Sequence, residues 1–92
     1  MITDEDKKAV LAIARKYHAS RVILFGSALV HADESRDIDL GVEGISDRDF
    51  FAFYGELLCT LSKPVDVVDI SKKSRFTELV NKEGVLLWKN RR

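Results

Sequence analysis

Two aspartates, Asp37 and Asp39, stand at alternate positions in a segment where acidic and apolar residues alternate. The alternation predicts a β-strand on which Ile38, Leu40 and Val42 point to one face and the two carboxylates to the other. Alternate positions lie about 6.5–7 Å apart at Cα, so the carboxylate oxygens can converge on a hard cation such as Mg²⁺. The pair is therefore a candidate metal site, although aspartates also suit the solvent face of a half-buried strand.

A glycine–serine pair, Gly26 and Ser27, directly follows a short apolar run. Glycine lets a phosphate approach the main chain closely, and successive amide groups in such a turn form an anion site. The anion site and the cation ligands would then face each other. The simplest ligand that requires both is a nucleoside triphosphate with a bound metal ion.

Other motifs that contain Asp or Gly do not fit the sequence. A calcium loop that opens at Asp37 needs Glu at its twelfth position, where the chain has Arg48. A Walker A loop needs Gly-Lys-Ser or Gly-Lys-Thr, and neither triplet occurs. An aspartyl phosphatase has an apolar strand before its aspartate, whereas residues 31–36 are polar.

The hydrophobic pattern predicts the helices and strands that must position these residues. In chain order the predicted elements are a helix from Thr3 to about Ala19, a strand at residues 21–25, a strand at 37–42, a helix beginning at Ser46, a strand at 65–70, a helix at 74–83 and a strand at 85–88. The residues expected to face the core from the second and third helices are Phe50, Tyr54, Leu57, Leu58, Leu61, Phe76, Leu79 and Val80. Phe53 falls at the edge of this stripe, and Cys59 is expected to be a small core residue.

The chain has 92 residues, and we expect residues 1–92 to form a single domain. Helices and strands are mixed too closely for a bundle or a sandwich, which predicts an α/β or α+β fold with a small sheet of about four strands. The connection from Gly26 to Asp37 is too short for a helical crossover and favours an antiparallel pair, whereas the segment between Asp39 and Asp66 contains a helix. The sheet should therefore be mixed.

Composition narrows the class of function. Hydrophobic residues make up 46% of the chain and charged residues 33%, as in ordinary globular proteins. Fifteen basic residues balance fifteen acidic ones, which argues against direct binding of nucleic acid. The single Cys59 fits a reducing compartment, and neither a signal peptide nor a membrane-spanning apolar run is predicted. We therefore expect a cytoplasmic protein.

The motifs are more specific together than singly. Residues 22–27 read Val-Ile-Leu-Phe-Gly-Ser, the acidic strand follows after residues 28–36, and residues 64–68 read Pro-Val-Asp-Val-Val. This series resembles the minimal nucleotidyltransferase domain of the DNA polymerase beta-like superfamily over nearly the whole chain. In that family an apolar strand ends in Gly-Ser, a loop leads to an Asp-x-Asp strand, and a third aspartate lies on a later strand.

The resemblance implies transfer of a nucleoside monophosphate, in the first instance AMP from ATP, to an acceptor hydroxyl with release of pyrophosphate. Gly26 and Ser27 would hold the terminal phosphates of the nucleotide. Asp37, Asp39 and Asp66 would be the catalytic carboxylates and the ligands of a pair of Mg²⁺ ions, and Asp66 would also help to deprotonate the acceptor. Two such metal ions can stabilise the attacking and leaving oxygens of the displacement together.

Two positions depart from the family pattern, and the third carboxylate of that pattern has two candidates. The arginine that commonly follows Gly-Ser is Val30, and the serine that usually precedes the first aspartate is Arg36. Arg36 is a candidate nucleotide-binding residue, but it could instead pair with Asp37. Asp69 competes with the family's third aspartate; it lies on the opposite face of its strand and could begin the turn at Ser71.

Related minimal domains commonly act with a separately encoded, helical HEPN-domain protein. In such a toxin–antitoxin pair the transferase is the antitoxin and adds adenylyl groups to the toxin. The resemblance therefore implies a HEPN-type partner, and a homo-oligomer stays open. The alternative is a catalytically degenerate binding module that neutralises or scaffolds a partner; the missing arginine favours the module, and the retained carboxylates favour the enzyme.

Overall fold

The computed structural model describes residues 2–26 and 37–90, so Ser27, Val30 and Arg36 lie outside the described residues. The elements within those residues are, in chain order, α1 (Asp4–Lys16), β1 (Arg21–Phe25), β2 (Ile38–Glu43), α2 (Asp47–Thr60), β3 (Val65–Asp69), α3 (Arg75–Glu83) and β4 (Val85–Lys89). None of these helices combines the length and the apolar character that a membrane span requires. The predicted elements are thus confirmed, with small shifts at their ends.

The strands form one mixed sheet in the order β3-β2-β1-β4. β1 is antiparallel to both β2 and β4, whereas β2 and β3 are parallel. The parallel pair is possible because α2 carries the chain back across the sheet between its two strands. The expected fold class, a small mixed sheet with packed helices, is confirmed.

Each helix begins at a residue whose side chain accepts a hydrogen bond from a main-chain amide of the first turn. These capping residues are Thr3, Ser46 and Ser74. The first helix ends at Lys16 and not near Ala19 as predicted, because His18 takes a left-handed conformation, with φ of 59°, that turns the chain towards β1. Ala19 is nevertheless fully buried, which explains why the apolar pattern ran past the end of the helix.

The main core lies between one face of the sheet and the pair α1 and α2. Its largest fully buried side chains include Leu24 and Leu40 from the sheet and Phe53 and Leu57 from α2. The other face of the sheet packs against α3, where Val80 contacts Ile23 and Ile70. Helices therefore lie on both faces of the sheet, as the buried central strand β1 requires.

Several predictions about which helix residues face the core were wrong. Phe53, placed at the edge of the stripe, is fully buried, whereas Leu58 is 52% exposed and Cys59 is also exposed. On α3, Phe76 and Leu79 are 45% and 52% exposed. Both helices carry apolar residues on more than one side, so their spacing alone does not fix which side meets the sheet.

Glu56 joins the two helices of the main core. Its Oε1 accepts a hydrogen bond of 2.7 Å from Tyr17 Oη and a second from Lys16 Nζ. The hydrogen bonds from Lys16 and Tyr17 lower the pKa of Glu56 below its ordinary value of 4.5. The contact is at the surface, so its effect on stability is modest.

We expect Glu56→Gln to lower the melting temperature slightly at neutral pH. Because the pKa of Glu56 is lower in the folded than in the unfolded chain, its stabilising effect is present above pH 4.5 and is lost as the pH falls through the folded pKa. Thermal melts of the wild type and the variant should therefore converge in acid. Glu83→Gln, at an exposed position on α3, is the matched control and should not destabilise the chain. Equal melting temperatures of wild type and Glu56→Gln at neutral pH would show that the contacts of Glu56 do not stabilise the fold.

Candidate active site

Asp39 and Asp66 lie directly opposite each other on the two parallel strands, since Asp39 of β2 is in register with Asp66 of β3. Neighbouring strands are about 4.8 Å apart, and side chains in register project to the same face. That face is opposite the main core, because the adjacent residues Ile38 and Leu40 are buried against the helices. Asp37 lies just before β2, two positions from Asp39, and is exposed. The predicted separation of core and acidic faces is thus confirmed.

The carboxylate of Asp39 is in an unfavourable environment for a negative charge. Asp39 is half-buried, whereas Asp37 and Asp66 are exposed. The pKa of Asp39 is raised above 3.8, first by burial and then by the negative charges of Asp66 and Asp37. The carboxylates therefore act on one another, and a cation between them would relieve their repulsion.

Gly26 lies at the end of β1, beside the acidic pair. The preceding residue, Phe25, is in register with Asp39 across the antiparallel pair. Gly26 has a φ of 80°, and a Cβ at this position would overlap the Asp39 carboxylate. Glycine is thus required both by the left-handed backbone and by the close approach of the main chain to Asp39. Of the predicted phosphate-binding residues, Gly26 is at the site, and Ser27 and Arg36 lie outside the described residues.

Asp66 and Asp69 have different surroundings, although both belong to β3. Asp66 Oδ1 accepts a hydrogen bond of 3.3 Å from Tyr54 Oη, and Asp66 is the residue in register with Asp39. Asp69 Oδ1 instead accepts a hydrogen bond of 2.9 Å from the amide of Ser71 and begins the turn after the strand. The strand therefore brings Asp66, and not Asp69, next to Asp39.

Tyr54 is a residue of this site that sequence reasoning assigned only to the core. Its ring packs against the main core, but its hydroxyl reaches the edge of the sheet at Asp66. The pKa of Tyr54 is raised, mainly by burial and further by Asp66, whereas the nearby main-chain amide of Val67 lowers it. The only signal in the sequence was general: a half-buried tyrosine usually finds a partner for its hydroxyl.

The donor set suits a metal ion that is shared with a nucleotide. Within residues 2–26 and 37–90, no group of three or more His, Cys, Asp or Glu side chains is close enough to enclose a metal ion by itself. Mg²⁺ seldom uses such a cage; it is usually held by one or two carboxylates, substrate phosphates and water. Asp39 and Asp66 supply two adjacent oxygen ligands, and the Gly26 main chain leaves room beside them. The residues present therefore fit an Mg²⁺–nucleotide complex.

Comparison with known proteins identifies the fold and the family. The family model described as "Polymerase beta, Nucleotidyltransferase" matches residues 8–92. A solved structure assigned as a minimal nucleotidyltransferase is 31% identical, with a TM-score of 0.68 and coverage of 86% of each chain. A comparison with curated proteins gave no match.

Two further solved structures share the fold at lower identity. A complex of a tri-AMPylated HEPN toxin with an MNT antitoxin, from Shewanella oneidensis, contains a chain that is 21% identical, with a TM-score of 0.69 and coverage of 92% of this chain and 71% of that one. A toxin–antitoxin structure with AMP-PNP has a chain that is 22% identical, with a TM-score of 0.70 and coverage of 96% of this chain and 75% of that one.

We expect Asp39→Asn to raise the melting temperature by a few degrees at neutral pH in the presence of a chelator. The substitution keeps the shape of the side chain and removes a half-buried charge that faces two other carboxylates. Asp69→Asn is the matched control, because the amide oxygen can still accept the hydrogen bond from Ser71 and no gain is expected. A melting temperature for Asp39→Asn at or below that of the wild type would show that the repulsion is not significant.

Proposed function

Because the chain belongs to the polymerase beta nucleotidyltransferase family, we propose that it transfers AMP from ATP to an acceptor hydroxyl in an Mg²⁺-dependent reaction. The acceptor hydroxyl belongs to a HEPN-type partner protein, for which this chain is the antitoxin. The single observation that carries the proposal is the pairing of Asp39 with Asp66 beside the Gly26 turn.

The carboxylates have distinct parts in the proposed reaction. Asp39 and Asp66 would hold the metal ion, with Asp37, two positions before Asp39, as the third candidate ligand; bound Mg²⁺ would offset the charge of the triphosphate and of the pyrophosphate that leaves. Asp39 is the best fixed of the three, since it is half-buried in mid-sheet beside Gly26. Asp66 is exposed at the edge strand, where an acceptor hydroxyl can approach and give up its proton.

The Gly26 turn supplies the surface for the phosphates. The positive φ of Gly26 and the absence of a side chain let the main chain lie against Asp39. A triphosphate could then contact the main chain at Gly26 while its oxygens share a metal ion with the carboxylates. Anion site and cation ligands lie side by side, as a metal–nucleotide complex requires.

The choice of nucleotide and partner rests on the solved relatives. One is a toxin–antitoxin structure with AMP-PNP, and another is a complex of an MNT antitoxin with a tri-AMPylated HEPN toxin. These facts concern those proteins, and they support ATP as donor and a HEPN-type protein as acceptor for this chain. Val30 stands where the family commonly has an arginine, so one positive charge that would offset the triphosphate is missing. The rate of transfer is therefore the quantity to measure.

The proposal predicts transfer of labelled AMP to a HEPN-type partner protein. Purified chain, partner, Mg²⁺ and labelled ATP should give labelled partner, and Asp39→Asn should lower the rate by about a hundredfold or more, since metal stabilisation of charge is worth several kcal/mol. Asp69→Asn changes an aspartate that shares β3 with Asp66 but lies outside the pair, and it should retain the wild-type rate.

Two results would contradict the proposed transfer activity. Labelling that is equally fast with Asp39→Asn would show that this carboxylate is not part of the machinery. Inhibition of the partner by the chain without any labelling, unchanged by Asp39→Asn and Asp66→Asn, would instead establish the binding module.

A further inference from the structure

The hydroxyl of Tyr54 connects α2 to the edge of the sheet. The Tyr54 ring is half-buried and meets Phe50 edge to face, with 6.3 Å between ring centroids. Its Oη donates a hydrogen bond of 3.3 Å to Asp66 Oδ1, and the nearby Val67 amide lowers the pKa of Tyr54. A ring fixed in the core therefore carries a polar tip beside a candidate metal ligand.

The position of β3 explains why the Val67 amide is available. β3 is the edge strand of the sheet, and alternate residues of a parallel strand bond to the same neighbour. Ile38 donates to the Pro64 carbonyl and Ile70 to the Val42 carbonyl, which places the inward-facing bonds of β3 at even-numbered residues. The Val67 amide therefore points away from β2.

The direction of the hydroxyl follows from the chemistry of its partner. The Asp66 carboxylate can only accept a hydrogen bond, so the Tyr54 hydroxyl proton is directed towards Asp66. The bond to Asp66 is long for an O–H donor and lies at an exposed residue, so its contribution to fold stability is small. Its effect is to favour one orientation of a carboxylate that solvent would otherwise leave free to rotate.

We propose that Tyr54 is a positioning residue that holds the Asp66 carboxylate in the orientation needed for metal binding. Tyr54 occupies one side of Oδ1, which leaves Oδ2 and the remaining lone pair of Oδ1 for a cation. Partners that orient the first ligands of a metal in this way commonly change metal affinity when they are removed. The inference rests on the proposed function, because it takes Asp66 to be a metal ligand.

The chain offers a matched control in Tyr17. Tyr17 Oη also donates to a carboxylate, at 2.7 Å from Glu56 Oε1, and its ring also packs edge to face on a phenylalanine, Phe53. Glu56 lies between α1 and α2 and not on the acidic face of the sheet. Tyr17→Phe and Tyr54→Phe therefore both remove a hydroxyl that is bonded to a carboxylate, and only Tyr54→Phe affects the candidate site.

The test measures Mn²⁺ binding without nucleotide, by the electron paramagnetic resonance signal of free Mn²⁺. We expect Tyr54→Phe to weaken Mn²⁺ affinity by about tenfold, at the lower end of the effect of such partners. Tyr17→Phe should bind Mn²⁺ as the wild type does, and Asp66→Asn should bind it more weakly than Tyr54→Phe. Tyr54→Leu removes the same hydroxyl with a different apolar side chain, and thermal melts check that both variants fold.

The outcomes separate this inference from the proposed function. Wild-type affinity in Tyr54→Phe, together with a loss in Asp66→Asn, would overturn the positioning role and leave the proposed function intact. A wild-type chain that binds no Mn²⁺ would overturn the positioning role, because the chain alone would then not hold a metal ion. An Asp66→Asn chain that binds Mn²⁺ normally would overturn both. If Tyr54→Phe and Tyr54→Leu both lost the cooperative melt, the hydroxyl would be a structural element and the positioning role would be overturned.

Discussion

The in-register parallel pairing of β2 and β3 is the constraint on which the site depends. It sets two carboxylates of like charge opposite each other on one face of the sheet. Like charges at directly opposed positions destabilise a sheet, and the pKa of Asp39 is raised first by burial and then by the charges of Asp66 and Asp37. A divalent cation between the two carboxylates would attract both and so offset their repulsion. The arrangement is therefore that of a site completed by its ligand.

The opposite face of the same strands offsets this cost. Leu24 and Leu40 of the sheet, with Phe53 and Leu57 of α2, are fully buried within a single cluster. Burial of such side chains contributes roughly 1.5–3 kcal/mol each, more than the repulsion between partly solvated carboxylates at the surface. The two faces of the sheet therefore differ: one carries the larger apolar core, and the other, beside its smaller cluster with α3, can hold charges that the fold alone would not favour.

The sequence predicted those parts of the structure that depend on period and chain length. Strict alternation around Asp39 predicted the acidic face, and the short connection before β2 predicted its antiparallel pairing with β1. It misassigned Phe53 and Leu58, because the side of a helix that meets the sheet depends on where the helix docks. The sequence did not decide between Asp66 and Asp69, which are distinguished by the register of Asp66 with Asp39. The contact of Tyr54 with Asp66 joins α2 to β3, so no local sequence pattern predicts it.

Register also explains why the site and the core cannot vary independently. Because side chains alternate along a strand, a slip of β2 by one residue would turn Asp39 into the main core and Leu40 towards solvent. The burial of Ile38, Leu40 and Val42 opposes that slip, and the close fit of Gly26 against Asp39 would be lost with it. The direction of β1 matters equally. Because β1 is antiparallel to β2, the carboxyl end of β1 lies beside the beginning of β2, where the acidic pair is. The apolar residues of β2 thus position the carboxylates without touching any ligand, and the geometry of the site follows from the energetics of the core.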